Sequence, residues 1–152
     1  MNSTLVRVGT WILRIALAIA FLSAVADRFG LWGPPGGPGV AWGDLTRFNA
    51  YVAKLNWFLP ASLVPVAGWA ATVAETGLAL GLLIGWKLRW MSLASALLLL
   101  LFAVEMTLAL GVKAPLDASV FTAAAGAFLL FASQPNRIGN CMSVVSAGCK
   151  IS

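Results

Sequence analysis

Residues 63–112 read LVPVAGWAATVAETGLALGLLIGWKLRWMSLASALLLLLFAVEMTLALGV, two long apolar runs separated by a short basic turn at 87–89. Each run is long enough to cross a bilayer, which takes about 20 apolar residues in a helix. Only a helix satisfies its own backbone groups in lipid, and neither run shows the alternation of a strand. We therefore expect a hairpin of two membrane-spanning helices over 63–86 and 90–112.

Two more apolar segments flank this hairpin, at about 8–26 and 116–133. The turns at 87–89 and 113–115 are short, so they force neighbouring helices to run antiparallel. The chain is therefore predicted to be an all-α integral membrane protein, an antiparallel up-down-up-down bundle of four transmembrane helices. This domain takes up residues 1–135.

The remaining segment, 136–152, is predicted to be a cytoplasmic tail. It carries the only two cysteines, Cys141 and Cys149, which are too few and too far apart for a C-x-x-C motif. A cytoplasmic location favours reduced thiols. Two soft ligands do not make a metal site.

The first apolar segment has a second interpretation. Its basic start, the apolar run to Ala26 and the small residues Ala24-Val25-Ala26 also fit a cleavable signal peptide. Weighing the criteria for a signal peptide, we favour a retained helix.

The composition of the whole chain agrees with a lipid environment. Hydrophobic residues make up 61% of the 152 residues and charged residues 10%, whereas a soluble domain has about 25% charged residues. The net charge of +5 comes from basic residues at the ends of the apolar segments, so it indicates topology rather than nucleic-acid binding. Histidine is absent, which removes the commonest metal ligand and general base. No metal site or catalytic residue is predicted, and an autonomous enzyme is the least favoured class.

The basic residues and tryptophans predict the orientation. The short turn with Lys87 and Arg89 has no acid beside it, which favours the cytoplasmic side for this turn and for both termini. Trp86 and Trp90 then lie at the inner interface, and Trp32 at the outer one.

Between the first two spans, the segment that starts at Trp32 is too rich in proline and glycine for regular structure. Asp44 after it is placed to cap an amphipathic helix over about 44–58. This helix is too polar to span and is expected on the outer surface or over the mouth of the bundle. An anchor is the simpler role. The other role is a lid, which would use Phe48, Tyr51 and Trp57.

Charged side chains inside the apolar segments are the candidates for function, because an unpaired charge in hydrocarbon costs several kcal/mol. Counted from the predicted inner edge at about 1.5 Å per residue, Arg14 starts at about 9 Å and Glu75 lies at about 15 Å, a gap that a long arginine side chain covers. We therefore predict an Arg14–Glu75 ion pair. It either handles a ligand or only fixes the register of the two helices.

Two further acids are candidates for ligand contact or proton handling. Glu105 lies deep in the third span, where burial without a partner would favour the neutral acid, unless Arg28 or Lys113 reaches it. Asp117 follows Pro115 at the start of the fourth span, where helix capping is at least as good an explanation.

Small residues indicate how the helices pack, since lipid tails do not drive helices together. The second span carries a doubled G-x-x-x-G motif, Gly77, Gly81 and Gly85, on the face opposite Glu75. Packing within one chain is the favoured interpretation, and a homo-oligomer is the alternative.

Several of these motifs resemble those of the DoxX family of small bacterial membrane proteins. The resemblance covers the chain from the first helix to about residue 133. The residues that carry it are Leu13-Arg14-Ile15-Ala16-Leu17, Glu75-x5-Gly81-x3-Gly85 with Arg89 beyond, and Gly111-Val112-Lys113-Ala114-Pro115-Leu116-Asp117. The resemblance implies four membrane helices, a place in the bacterial inner membrane and an association with redox or sulfur metabolism, in some relatives with quinone chemistry.

Three functions remain open. The first is an accessory subunit that anchors a redox partner and binds quinone. The second is a binding or transport protein for a small apolar or weakly acidic molecule, with Arg14, Glu75 and Glu105 lining its cavity. The third is a structural scaffold in the membrane lipid, whose buried charges only set the packing.

Overall fold

The computed structural model describes residues 3–134, and within that range the chain is helical and contains no strand. The predicted tail with Cys141 and Cys149 lies outside the described residues. The prediction of an all-α chain is confirmed for the described part. Its helices are α1 Ser3–Arg28, α2 Leu45–Leu55, α3 Val64–Ile84, α4 Leu88–Leu110, α5 Lys113–Asp117 and α6 Val120–Ala132.

Three of the helices in this range, α1, α3 and α4, are long and apolar enough to cross a membrane. The fourth apolar segment differs from the continuous helix expected over 116–133. It forms α5 and then α6, whose 13 residues extend only about 20 Å. The interruption lies at Ser119, whose φ of 54° is left-handed and ends the helical path.

Four of the helices pack in pairs. α1 contacts α3 and α4 contacts α6, and further contacts join α3 to α4 and α1 to α6. The core between them contains several alanines, which let the helices approach closely. Large apolar side chains on the outside are exposed, as lipid-facing helices require. The buried core residues are Leu17, Ala18, Phe21, Ala79, Leu82, Ala96, Ala127 and Leu130.

The end of α1 decides where its last charged residue lies. Gly30 has a φ of +72°. Its N–H donates to the carbonyl of Asp27 at 3.0 Å, and the N–H of Leu31 donates to the carbonyl of Ala26 at 3.0 Å. This pair of bonds is a Schellman motif, which ends a helix at a left-handed glycine. The helix therefore continues to Arg28, two residues beyond the predicted edge of the span.

The segment between α1 and α3 folds back over this end of the helix pair. The Asp44 carboxylate accepts a hydrogen bond from the backbone N–H of Arg47 at 2.7 Å, so the predicted N-cap is confirmed. A side chain at Gly43 would meet the backbone of Pro35 at 2.6 Å, so the proline-rich turn and the start of α2 are in close contact. Phe48, Val52 and Leu55 form the buried face of α2, and α2 packs against α3 and α4.

Candidate functional site

A buried ion pair joins the end of α1 to the middle of α3. One terminal nitrogen of Arg28, Nη2, lies 2.7 Å from Oε1 and 2.8 Å from Oε2 of Glu75. The other, Nη1, donates to the hydroxyl of Thr72 at 2.9 Å. Only 3% of Arg28 and 2% of Glu75 are exposed. Charges this deeply buried are stable only when they are paired and hydrogen-bonded, and this site supplies both conditions.

The helix geometry explains why these groups meet. Thr72 and Glu75 are three residues apart, so they lie on one face of α3. The Thr72 hydroxyl donates to the carbonyl of Gly68 at 2.8 Å, which fixes its lone pairs towards Arg28. Because the Schellman motif keeps Arg28 on the last turn of α1, its guanidinium reaches this face of α3.

Aromatic rings of the connecting segment and α2 cover the guanidinium. The Cζ atom of Arg28 lies 3.9 Å from the centre of the Phe48 ring and 5.5 Å from that of Trp42. These two rings pack edge to face, 5.1 Å apart. A cation over a ring is stabilised by up to about 2 kcal/mol when water is excluded. The cover therefore both dries the ion pair and stabilises its positive member.

A second carboxylate ties the cover to α1. The Asp27 carboxylate accepts a hydrogen bond from the backbone N–H of Trp42 at 2.7 Å, and only 5% of Asp27 is exposed. Its other oxygen, Oδ1, has no partner within the described residues, nor do Nε of Arg28 and Oδ1 of Asn49, although all three atoms are buried. One donor and two acceptors at the end of α1 and on α2 are thus left without partners in the described residues.

The predicted Arg14–Glu75 ion pair is wrong. Arg14 lies at the other end of α3, where Nε donates to the carbonyl of Leu82 and Nη2 donates to that of Leu83 at 2.6 Å. The last carbonyls of a helix lack partners within the helix and carry partial negative charge. Arg14 satisfies two of them, with the Trp11 ring 4.3 Å from its Cζ, while Arg28 takes the carboxylate.

The structure does not bring the other two predicted acids to the ion pair. Glu105 is half-buried on α4, while Arg28 pairs with Glu75 and Lys113 with Asp117. Asp117 pairs with Lys113 within α5, and both side chains are largely exposed. Asp117 does not cap α6, which instead begins after Ser119 without a side-chain cap.

The three residues suggested for a lid divide between two places. Phe48 touches Arg28, as described, and Tyr51 packs beside Trp42 with ring centres 5.8 Å apart. Trp57 is 76% exposed and packs on Phe58 instead. The cover of the ion pair therefore consists of Trp42 and Phe48, with Tyr51 on its outer side.

The three glycines of the α3 motif do not share the same surroundings. A side chain at Gly81 would meet Met91 of α4 at 2.6 Å, and one at Gly85 would meet Arg14 at 2.9 Å. Gly77 has open space around it and lines an apolar groove of about 630 Å³ between α3 and α4. Two of the three glycines thus serve close contacts within the chain.

The sequence analysis considered Arg28 only as a partner for Glu105, whereas it pairs with Glu75, and it missed Asp27 and Trp42. One signal was available: Gly30 is the residue type that ends a helix in the left-handed conformation. That signal would have extended α1 to Arg28. Within residues 3–134, no group of three possible metal-ligating acids or thiols comes together.

Comparison with known proteins assigns the chain to a family. The model of the family described as "Methylamine utilisation protein MauE" matches residues 6–117. No curated protein and no solved structure matches. The matched range covers most of the chain, from the first turns of α1 to the end of α5, and includes the whole ion-pair site, so the chain belongs to the MauE family. This family differs from the DoxX family, and the two have in common that they are small bacterial membrane proteins.

Proposed function

We propose that this MauE-family chain is an accessory membrane subunit of a redox system that uses methylamine or a related primary amine. One observation carries the proposal: the family match over residues 6–117. Oxidative deamination of methylamine to formaldehyde and ammonia releases two electrons to an acceptor, so a protein of methylamine utilisation is expected to work beside redox enzymes. The chain itself offers a buried ion pair rather than a nucleophile with a base, which favours an accessory role over catalysis.

The proposal is tested in the bacterium that carries this chain. The tagged chain, produced at its native level, is extracted with mild detergents and studied by native mass spectrometry. We expect a stoichiometric oxidoreductase or one of its assembly factors to copurify. A chain that remains bare or only self-associated in several mild detergents would contradict the proposal.

A deletion strain supplies the second arm of this test. Growth on methylamine should fail, while growth on succinate and ammonium should continue. The chain carrying Glu75→Gln separates the accessory role from the scaffold alternative. A scaffold predicts that this variant alters only stability, whereas a functional ion pair predicts that growth on methylamine falls even at equal protein level.

The second candidate function is binding or transport of a small molecule, of the two predicted classes the weakly acidic one, beneath α2. The observation that favours it is the group of three buried atoms without partners in the described residues: Asp27 Oδ1, Arg28 Nε and Asn49 Oδ1. Buried polar groups are costly when unsatisfied, by about 1–3 kcal/mol each. A ligand with both a donor and an acceptor would satisfy them.

Quinone binding is a variant of this candidate. A quinone carbonyl needs a donor, which Arg28 Nε would supply beside the rings of Trp42 and Phe48. The test is titration of the purified protein with a short-chain ubiquinone while tryptophan fluorescence is recorded. Quenching that saturates in the wild type but not in Trp42→Leu would support quinone. Unsaturable quenching would contradict it.

The topology belongs to the same proposal. We place both termini in the cytoplasm and the chain in the bacterial inner membrane, with α5 and α6 together completing a fourth crossing and with the tail 136–152 in the cytoplasm. The basic turn of Lys87 and Arg89 supports this orientation. Alkaline phosphatase fused after residue 134 should be inactive, and fused within the 36–39 turn it should be active. The reverse pattern would contradict the orientation.

A further inference from the structure

The outward face of α2 forms a cleft that the ion-pair site does not use. It is an open space of about 500 Å³, lined by Ala41, Trp42, Arg47, Ala50, Tyr51 and Lys54. Residues 47, 51 and 54 have the spacing i, i+4 and i+7, so they lie on one face of the helix. That face points away from the buried one formed by Phe48, Val52 and Leu55. The cleft is therefore available to a ligand while α2 stays packed.

The chemistry of this face suits a phosphate group. Arg47 and Lys54 are exposed cations about two helical turns apart, and their long side chains can converge on a ligand above Tyr51. Burial raises the pKa of the Tyr51 phenol, so the hydroxyl stays protonated and can donate. The ring of Trp42 packs against Tyr51 and closes one side of the cleft. Two cationic and two aromatic side chains thus line one open space.

The surroundings of α2 indicate the source of the phosphate. The same end of the helix pair carries several exposed aromatic side chains, a pattern typical of the membrane–water interface. A basic amphipathic face at that depth lies among lipid headgroups. The exposed aromatic residues are Phe29, Trp32, Trp57, Phe58 and Trp69.

We propose that Arg47, Tyr51 and Lys54 form a binding site for the phosphate headgroup of an anionic phospholipid. The site holds α2 against the membrane surface through its outward face, because the apolar face of α2 is already occupied by α3 and α4. This inference does not depend on the redox role, since it rests on the geometry of α2 alone.

The test is native mass spectrometry of the full chain in detergent with added dioleoyl phosphatidylglycerol or dioleoyl phosphatidylcholine. The wild type should bind phosphatidylglycerol more tightly than phosphatidylcholine. The double variant Arg47→Gln, Lys54→Gln should bind it at least about tenfold more weakly, because each surface cation contributes substantially to attraction by anionic lipid. Tyr51→Phe should lose less, about two- to fivefold, as it removes one neutral hydrogen bond.

A matched control removes the same number of positive charges at the opposite end of the helices. Arg7→Gln with Lys87→Gln should leave binding of phosphatidylglycerol within about twofold of the wild type, and circular dichroism should show equal helix content in all variants. Equal weakening in both double variants would overturn the proposal, since it would indicate net charge only. Displacement of the lipid by inorganic phosphate at equal concentration would also overturn it, in favour of a free phosphate ligand. Binding of a polyglutamate peptide through Arg47 and Lys54, with unchanged lipid binding, would overturn it in favour of an acidic protein.

Discussion

Two arginines of α1 contact the same helix, α3, at two places, and different groups stabilise them there. Arg28 meets the full charge of Glu75 beneath the aromatic cover. Arg14 meets the backbone carbonyls of Leu82 and Leu83 at the end of the helix. The first contact involves two buried charges that depend on each other. The second involves one charge and the partial charges of a helix end. That helix end would lose only a weak stabilisation if Arg14 were removed.

The two contacts should therefore respond unequally to the same substitution. Loss of Arg28 leaves a buried carboxylate without its counter-ion, whereas loss of Arg14 leaves two neutral carbonyls. Substitution of each arginine compares these two losses of stability, and substitution of other polar groups compares them with weaker contacts.

The largest effect is expected for Arg28→Met. Removing one member of a buried ion pair destabilises a protein by about 3–5 kcal/mol, so the free energy of unfolding in detergent should fall by that amount. Adding Glu75→Leu should restore much of the loss, since no unpaired charge then remains. The control is Arg89→Met, whose guanidinium lies over the Phe131 ring. A similar loss in the control, or no recovery in the double variant, would contradict the ion-pair interpretation.

A smaller effect is expected for Asp27→Ala, which removes the acceptor of the Trp42 backbone N–H. A hydrogen bond to a charged group contributes about 1.5–3 kcal/mol, and this one holds the cover in place. The amide of Trp42 should exchange with deuterium faster, while amides in the middle of α4 should not change. Unchanged exchange at Trp42 would show that the aromatic packing alone holds the cover.

Arg14→Met should cost less than Arg28→Met, about 1.5–3 kcal/mol, because it removes hydrogen bonds from a charged group to neutral carbonyls and leaves no buried charge unpaired. Thermal unfolding of the two variants in the same detergent makes the comparison direct. An equal or larger loss for Arg14→Met would break the distinction drawn between the two ends of the interface.

The smallest effect is expected at Lys113→Gln. Lys113 and Asp117 form an exposed pair at the spacing i,i+4, and such pairs contribute about 0.3–0.5 kcal/mol. The unfolding free energy should change by no more than that, and the change should vanish in 0.5 M salt. A loss above about 1 kcal/mol would indicate that α5 has a larger role than a connecting turn.

The sequence was sufficient for the helical class, for the three long spans and for the capped amphipathic helix, because each depends on local signals: apolar length or a capping side chain. It was not sufficient for the partner of Glu75. Depth in the membrane was counted from the ends of each apolar run. The first run was predicted to end at residue 26, so hydropathy placed Arg28 in water. The backbone turn at Gly30 instead keeps Arg28 on α1, where pairing with Glu75 offsets its burial.

The interruption at Ser119 shows a second limit. The residues 116–133 are apolar enough for one helix, and nothing in their hydropathy marks the left-handed conformation at Ser119. Such a break depends on how α5 and α6 fit against α4, which they both contact. Contacts between distant segments are the information that local patterns lack.

The unequal lengths of the helices have a consequence for their angles in the membrane. α1 extends about 39 Å and α6 about 20 Å, while the hydrocarbon layer is about 30 Å thick. A helix longer than this layer accommodates it by tilting, whereas α6 alone is about 10 Å too short to cross it. The thickness of the bilayer therefore also restricts the angle of α3, because Arg14 and Arg28 join it to α1 at two places.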